Sequence, residues 1–282
     1  MKEDELIKYL SKADIQAVAK SAQKAKDLIS AEVVKNNGIV IYLDVLGWKN
    51  KCTNEENALN KLTFLLQELI TTKLGLIKAL ENKTAETFAQ FNYAKGEDSI
   101  EIIGAADTIA IFIKDYYMQA FIRAYVLINC LVKSGAEQGL FFRGALSYGE
   151  YSLIKDSNFY MGPAVNEVSQ WYEACDWVGV IMTPSAVKKF AIMELILKAG
   201  NPNGIFSEYV KYNRIPFKKS NEAFESYVVN CFYKREDIFN YKEKLSIEKE
   251  RIEKLKADVS IINKYENALN FYQYVKNNGL LL

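Results

Sequence analysis

Two aspartates stand where apolar runs stop. Segment 38–48 (GIVIYLDVLGW) places Asp44 at the end of a short β-branched run, with Gly47 three positions on. Such a run reads as a buried strand delivering Asp44 to a sheet edge, where an acid and a glycine, both poor strand formers, suit a tight loop into a helix. An acid there can hold a cation, and the amides of Leu46, Gly47 and Trp48 can face an anion. Equally, Asp44 can cap the helix that begins between Asn54 and Leu59. Segment 99–113 (SIEIIGAADTIAIFI) strings two more apolar runs around Asp107 and reads as a hairpin with that acid at its turn. Two acids at the tips of apolar strands repel and are costly to desolvate unless something positive lies between them. The simplest arrangement is a pair of divalent cations, Mg²⁺ or Mn²⁺, roughly 3.5 to 4 Å apart and bridged by Asp44 and Asp107, as in two-metal phosphoryl transfer. The competing reading is two unrelated carboxylates, one a cap and one in a turn.

Bringing those tips together needs a sheet with packed helices, and the hydrophobic periodicity supplies both. Residues 4–35 carry Leu6, Leu10, Val18, Ala22 and Leu28 at helical spacing, a helical preface. After the Asp44 strand, 57–80 forms an amphipathic helix whose buried face runs through Leu59, Leu62, Leu65, Leu66, Leu69, Ile70, Leu74 and Ile77. The Asp107 hairpin follows, then a helix over 116–133 and a glycine-containing strand over 140–151 that runs on towards Tyr160. Gly162 and Pro163 open a helix ending near Gly179; a strand (179–183) and a helix (184–199) come next, then a break at 201–204. Two strands, 207–217 and 225–232, flank the polar turn 218–222. From Lys234 the chain is charged, with Tyr241, Leu245, Ile252, Leu255, Val259, Ile262, Tyr265 and Leu269 at helical intervals: a helical tail or helical hairpin with a solvated charged face.

Composition narrows the chemistry. The chain has 282 residues, half of them hydrophobic and a quarter charged, with formal charge +1, so a sizeable core is expected and no basic field argues for nucleic acid. There is no histidine, and Cys52, Cys130, Cys175 and Cys231 form no CxxC pair, which argues against zinc sites, disulfide frameworks and histidine-based triads. No signal-peptide pattern and no membrane-length apolar run is present, so a cytoplasmic protein without a membrane partner is expected.

Over residues 38–232 the combined pattern resembles the class III nucleotide cyclase catalytic domain, the family of adenylate and guanylate cyclases. Residues 44–48 (DVLGW) look like its Asp, apolar, any, Gly, aromatic motif; 103–107 (IGAAD) look like its second metal motif, lengthened by two residues. Residues 143–149 (RGALSYG) are similar to its Arg-x-Gly-Ile-x-x-Gly strand, with the first glycine directly after Arg143, and 162–166 (GPAVN) match its Gly-x-x-Val-Asn signature. The resemblance implies an α+β fold: a ferredoxin-like, palm-type βαββαβ core with a mixed, mainly antiparallel sheet. It divides the chain into a helical extension (1–36), a cyclase-like catalytic domain (37–233) and a helical tail (234–282). It further implies that Asp44 and Asp107 bind two divalent cations with help from the Val45 carbonyl, that the amides of Leu46, Gly47 and Trp48 hold the triphosphate, and that Asn166 orients the ribose. The ribose 3′-oxygen would attack the α-phosphate, releasing pyrophosphate, at composite sites of a homodimer.

The departures from that pattern are specific. Gln170 stands where the family has an arginine that stabilises transition-state charge, and a neutral amide cannot replace a guanidinium. Lys218, Lys219 or Arg214 could serve instead, although two lysines in a turn also read as simply solvated. Ile103 falls on the adenine-reading lysine and Phe159 on its acidic partner, so ATP is disfavoured; Phe159 or Tyr160 can stack on a base or pack in the core. DVLGWK at 44–49 and Arg143-Gly144-Ala145 resemble a bacterial branch that includes the pyrimidine cyclases of antiphage defence, which implies UTP or CTP as substrate and a downstream cyclic-nucleotide-sensing effector. Asn166 also reads as a cap near Pro163, and Arg143, inside an apolar strand, as a buried partner of a carboxylate or a backbone group. Alternative overall readings are a degraded pseudo-cyclase that binds nucleotide or protein without chemistry, and a palm-like polymerase or dinucleotide cyclase relative, against which the missing Gly-Gly-acid hairpin counts.

Overall fold

The apolar run at residues 38–45 becomes the inner half of a long strand. A computed structural model of the chain describes residues 20, 33–83, 100–105, 107–114, 118–154, 159–200, 207–218, 223–234 and 240–282. Strand β1 (Val33–Val45) alternates between exposed and partly buried positions up to Asn37, then is buried without a break from Gly38 to Leu43. Its first half is therefore a ribbon with one wet face, and its second half runs between two packed layers. The helical preface expected over 1–36 lies outside the described residues except for Lys20 and for 33–36, which belong to β1.

Helices α1 (Trp48–Asn54) and α2 (Ala58–Lys83) follow, then β2 (Ile100–Ala105), β3 (Thr108–Lys114), α3 (Met118–Glu137) and β4 (Phe142–Ile154). The chain continues through β5 (Tyr160–Met161), α4 (Pro163–Ala174), β6 (Gly179–Met182), α5 (Pro184–Gly200), β7 (Tyr209–Pro216), β8 (Ala223–Val229), α6 (Tyr241–Lys254) and α7 (Val259–Asn277). The sheet order is β2-β3-β1-β4-β6-β8-β7, with β5 paired to β4. Its first four strands, all antiparallel, are the expected βαββαβ core, and β4–β6 is the parallel pair that makes the sheet mixed.

Side-chain alternation assigns the two faces. On the Val40, Tyr42, Asp44 face lies α4, where the Ser147 hydroxyl donates to the Ala164 carbonyl at 2.7 Å. On the other face lies α3, where Gly135 leaves room for the Phe142 ring. The β1–β4 ribbon also curls. Tyr160 is opposite Leu153, which pairs with Val34, yet its ring is 6.0 Å from that of Tyr42, eight positions further along β1. A straight strand would separate those positions by about 26 Å; the ladder contains a Gly38–Gly149 pair between them.

Two apolar patterns correct the expectation. On α2, Leu62, Leu65, Leu69 and Ile77 are buried, but Leu59, Ile70 and Leu74 face outward, because the buried stripe is narrower than the apolar one. The C-terminal helices contribute Tyr241, Leu245, Ile252, Tyr265, Phe271 and Val275 to the same core as the sheet, while Leu255 and Val259 are exposed where α6 turns into α7. Nor is the charged face wholly solvated, since Glu248 is buried. All four cysteines are free thiols. No helix among the described residues is long and apolar enough to cross a membrane.

Candidate active site

Register brings the two aspartates to neighbouring strand tips. Asp44 is opposite Thr108 on β3 and opposite Arg143 on β4. Asp107 immediately precedes Thr108, and its carbonyl accepts the Val45 amide at 3.0 Å. Arg143 Nη2 donates to Asp44 Oδ2 at 2.7 Å, with the two side chains only 11% and 15% exposed. Burial raises the Asp44 carboxyl above its ordinary value; Arg143 opposes this, the charge of Asp107 adds to it, and Lys218 opposes it weakly. The expected reading of Arg143 as a buried partner of a carboxylate is what the structure shows. Gly144 makes the pairing possible: a Cβ there would sit 2.4 Å from the Tyr42 carbonyl, so any larger residue would push β4 off β1.

Asp44 is not a helix cap. Helix α1 starts at Trp48, earlier than expected, its cap position is Gly47 at φ 70°, and no side chain caps it. That left-handed conformation favours glycine. The turn also corrects the expected anion cradle: Leu46 is buried, and its amide already donates to the Phe141 carbonyl at 2.8 Å. The amides of Gly47 and Trp48 have no acceptor among the described residues.

Helix α4 sorts its residues by face. Ala164, Val165 and Val168 are buried, whereas Asn166 and Gln170, one turn apart, are exposed. Asn166 is not a cap; the cap position is Gly162, without a side-chain bond, and Asn166 sits in the helix with its amide on the Gly162 carbonyl. Gly162, at φ 138°, admits no Cβ because the Glu150 carbonyl would be 2.7 Å away. Towards the end of the helix the Tyr172 ring lies 5.8 Å from Tyr42, and the Arg143 guanidinium is 5.7 Å from its centre. Burial first, then its bond to Glu173, push the Tyr172 phenol up to about 12. Glu167 accepts the Ser185 amide and so ties α4 to the start of α5.

The remaining candidates divide. Lys218 is exposed, and its amide is held by the Ala174 carbonyl at the end of α4. Partial burial of its ammonium and the neighbouring Arg143 charge lower its pKa, which places it in the field of the Asp44–Arg143 pair. Lys219 lies outside the described residues. Arg214 instead lines a cavity of about 560 Å³ with Asn267 and Asn270 of α7, and neither aspartate lines that cavity. Ile103 is partly buried on β2 opposite Ala110. Phe159 is exposed, whereas Tyr160 packs on Tyr42 and Phe112. Tyr42 and Tyr172 were not foreseen; only Tyr42 carried a signal, lying two residues before Asp44 and hence on its face. Among the described residues no group of three or more His, Cys, Asp or Glu could hold a metal ion.

No protein-family model matches the sequence, and no curated protein does. Solved structures do. The chain is similar to the catalytic core of a rhodopsin-guanylyl cyclase with converted specificity in complex with ATPαS, at 10% identity and a TM-score of 0.37, covering 71% of this chain and 98% of that one. It is similar to an adenylate/guanylate cyclase/hydrolase from Silicibacter pomeroyi at 13% identity and a TM-score of 0.41, covering 70% and 98%. It is also similar to a class III adenylyl cyclase-like ATP-binding protein from Pseudomonas aeruginosa at 15% identity and a TM-score of 0.36, covering 58% of this chain and 37% of that one.

Proposed function

We propose that this chain is a metal-dependent nucleotide cyclase converting a nucleoside triphosphate, UTP or CTP in preference to ATP or GTP, into a 3′,5′-cyclic mononucleotide and pyrophosphate. The observation that carries the reading is the adjacency of Asp44 and Asp107 at the tips of β1 and the β2–β3 turn, with the Asp44 carboxyl raised by burial and by Asp107.

The donors fit the implied ions. Carboxylate and carbonyl oxygens suit Mg²⁺ or Mn²⁺, and Mg²⁺ in particular binds through one or two carboxylates and completes its shell from substrate phosphates and water. Among the described residues no third His, Cys, Asp or Glu joins the two aspartates, so the Val45 carbonyl, substrate phosphates and water would supply the remaining oxygens. When bound, two such cations would neutralise the phosphates and favour the alkoxide form of the ribose 3′-oxygen.

The chain's own groups have separable tasks. Arg143 favours the ionised form of Asp44 and keeps a guanidinium beside it. The Gly47 and Trp48 amides offer two further donors, and Lys218 adds positive charge. Asn166 and Gln170 point away from their own core, which supports their serving the site of a second copy in a homodimer. An apolar Ile103 and an exposed Phe159 offer no polar contact for the adenine amino group. A cyclic pyrimidine nucleotide made in this way would act as a signal to a cyclic-nucleotide-sensing effector, as in antiphage defence.

Incubation with each of the four triphosphates and Mn²⁺ tests the reading. Cyclic UMP or cyclic CMP is expected, and none after Asp44→Ala. No cyclic product from any triphosphate would overturn it. The neutral, exposed Gln170 favours one other reading, a pseudo-cyclase that binds without reacting. Gln170→Arg separates the two: a large gain in turnover marks a degraded site, and a loss marks an amide built into a working one.

A further inference from the structure

We infer that Lys51 of α1 and Glu248 of α6 are positioning residues, whose buried ion pair lets the C-terminal helices hold the Gly47–Trp48 turn beside Asp44. The effect on nucleotide rests on the cyclase reading; the hold on the turn does not.

Lys51 is 7% exposed and Glu248 is 6% exposed. The Lys51 ammonium lies 3.2 Å from Glu248 Oε1 and 3.5 Å from Glu55 Oε1. Arg251 grips Glu248 at both oxygens, Nε to Oε2 at 2.7 Å and Nη2 to Oε1 at 2.8 Å, while Lys61 takes the other oxygen of Glu55 at 2.8 Å. Five charges thus chain α2, the α1–α2 link, α1 and α6 together. An apolar residue at position 51 could pack as tightly without the desolvation cost, so stability alone does not explain a buried ammonium. What an ammonium between two fixed carboxylates adds is a single defined seat for α1.

That seat is coupled to the turn through the backbone. The Lys51 and Asn50 amides both donate to the Gly47 carbonyl at 3.1 Å, so displacing Lys51 displaces the left-handed turn. The C-terminal helices reach the same turn at a second point. The Leu46 amide donates to the Phe141 carbonyl, and the Phe141 ring packs 5.4 Å from Tyr265 on α7 and 6.3 Å from Tyr241 on α6. Helices α6 and α7 therefore hold the Asp44 loop at two points.

The test compares hydrogen exchange along the full chain with steady-state kinetics on triphosphate and Mn²⁺, in wild type, Glu248→Gln, Lys51→Arg and Glu266→Gln. Glu266 is the control, because its 2.6 Å pair with Lys249 joins α6 to α7 without touching α1. Glu248→Gln is expected to speed exchange of the 46–51 amides about tenfold and to raise KM by a similar factor with little change in kcat. Lys51→Arg, which keeps the positive charge, should retain most of the protection, and Glu266→Gln should alter neither reading. Unchanged exchange at 46–51, a rise spread evenly over β1 and α2, or the same response from Glu266→Gln overturns the inference. Should Glu248→Gln not fold, Glu248→Asp, which keeps the charge but shortens its reach, serves for the same comparison. If wild type yields no cyclic product, the cyclase reading fails alone and the exchange result still decides the positioning.

Discussion

The Lys51–Glu248 pair, which is buried, and the Asp44–Arg143 pair, which is partly so, are built differently. Glu248 is closed: both of its oxygens take bonds from Arg251, and Lys51 adds a third. Asp44 is open: it takes one hydrogen bond, from Arg143, whose own Nε has no hydrogen-bond partner among the described residues, and a second aspartate adds repulsion from the next strand tip. A satisfied network specifies packing, whereas a half-satisfied pair beside an unneutralised acid is costly unless something else completes it. On the proposed function, the difference separates a structural pair from one arranged to receive a ligand.

Removing one partner from each pair tests that distinction most strongly. Arg143→Met leaves two acids facing each other and should cost about 3 kcal/mol in denaturant unfolding, with much of the loss recovered on adding Mn²⁺ and a triphosphate. Glu248→Gln should cost a similar amount, about 3 kcal/mol, with a smaller recovery because its higher KM leaves less ligand bound. Equal recovery in both variants would erase the contrast. The pH dependence has a definite sign. With Arg143 gone, burial and Asp107 act unopposed by its guanidinium, so the folded state holds the Asp44 proton more tightly than the unfolded chain does. The contribution of Asp44 to the stability of the Arg143→Met protein is then fully present at low pH and is lost as pH rises through the raised value.

A smaller effect is expected at Gly144. Gly144→Ala should destabilise by about 2 kcal/mol and weaken metal binding as well, because the clash with Tyr42 forces Arg143 off Asp44. Loss of stability without loss of Mn²⁺ affinity would detach the β1–β4 spacing from the site. The mildest probe is thiol labelling. Cys52, exposed on α1, should react readily in the native protein, while buried Cys175, whose thiol burial pushes up to about 12, should react only on unfolding. Protection of Cys52 on adding Mn²⁺ and triphosphate would show α1 responding to the site.

Much of the core was legible because its signals are local. Apolar runs that stop at an aspartate marked β1 and the β2–β3 hairpin, and Gly162-Pro163 marked the start of α4. A lone arginine in an apolar strand pointed to a carboxylate partner, although the identity of that partner, 99 residues away, came only from register. What stayed hidden depends on distant packing. Glu248 lies in a highly charged helix and read as solvated, because its partner Lys51 is 197 residues away. The loss of the Leu46 amide to Phe141 has no trace in either segment, and the buried stripe of α2 is set by the layers beneath it.

The central claim is that Asp44 and Asp107 share divalent cations across a nucleotide's phosphates. Electron paramagnetic resonance of Mn²⁺ titrated into the protein with a non-hydrolysable triphosphate measures this directly. Two bound ions per site are predicted in wild type, with binding lost in both Asp44→Asn and Asp107→Asn. Unaltered Mn²⁺ binding in either variant would contradict the account.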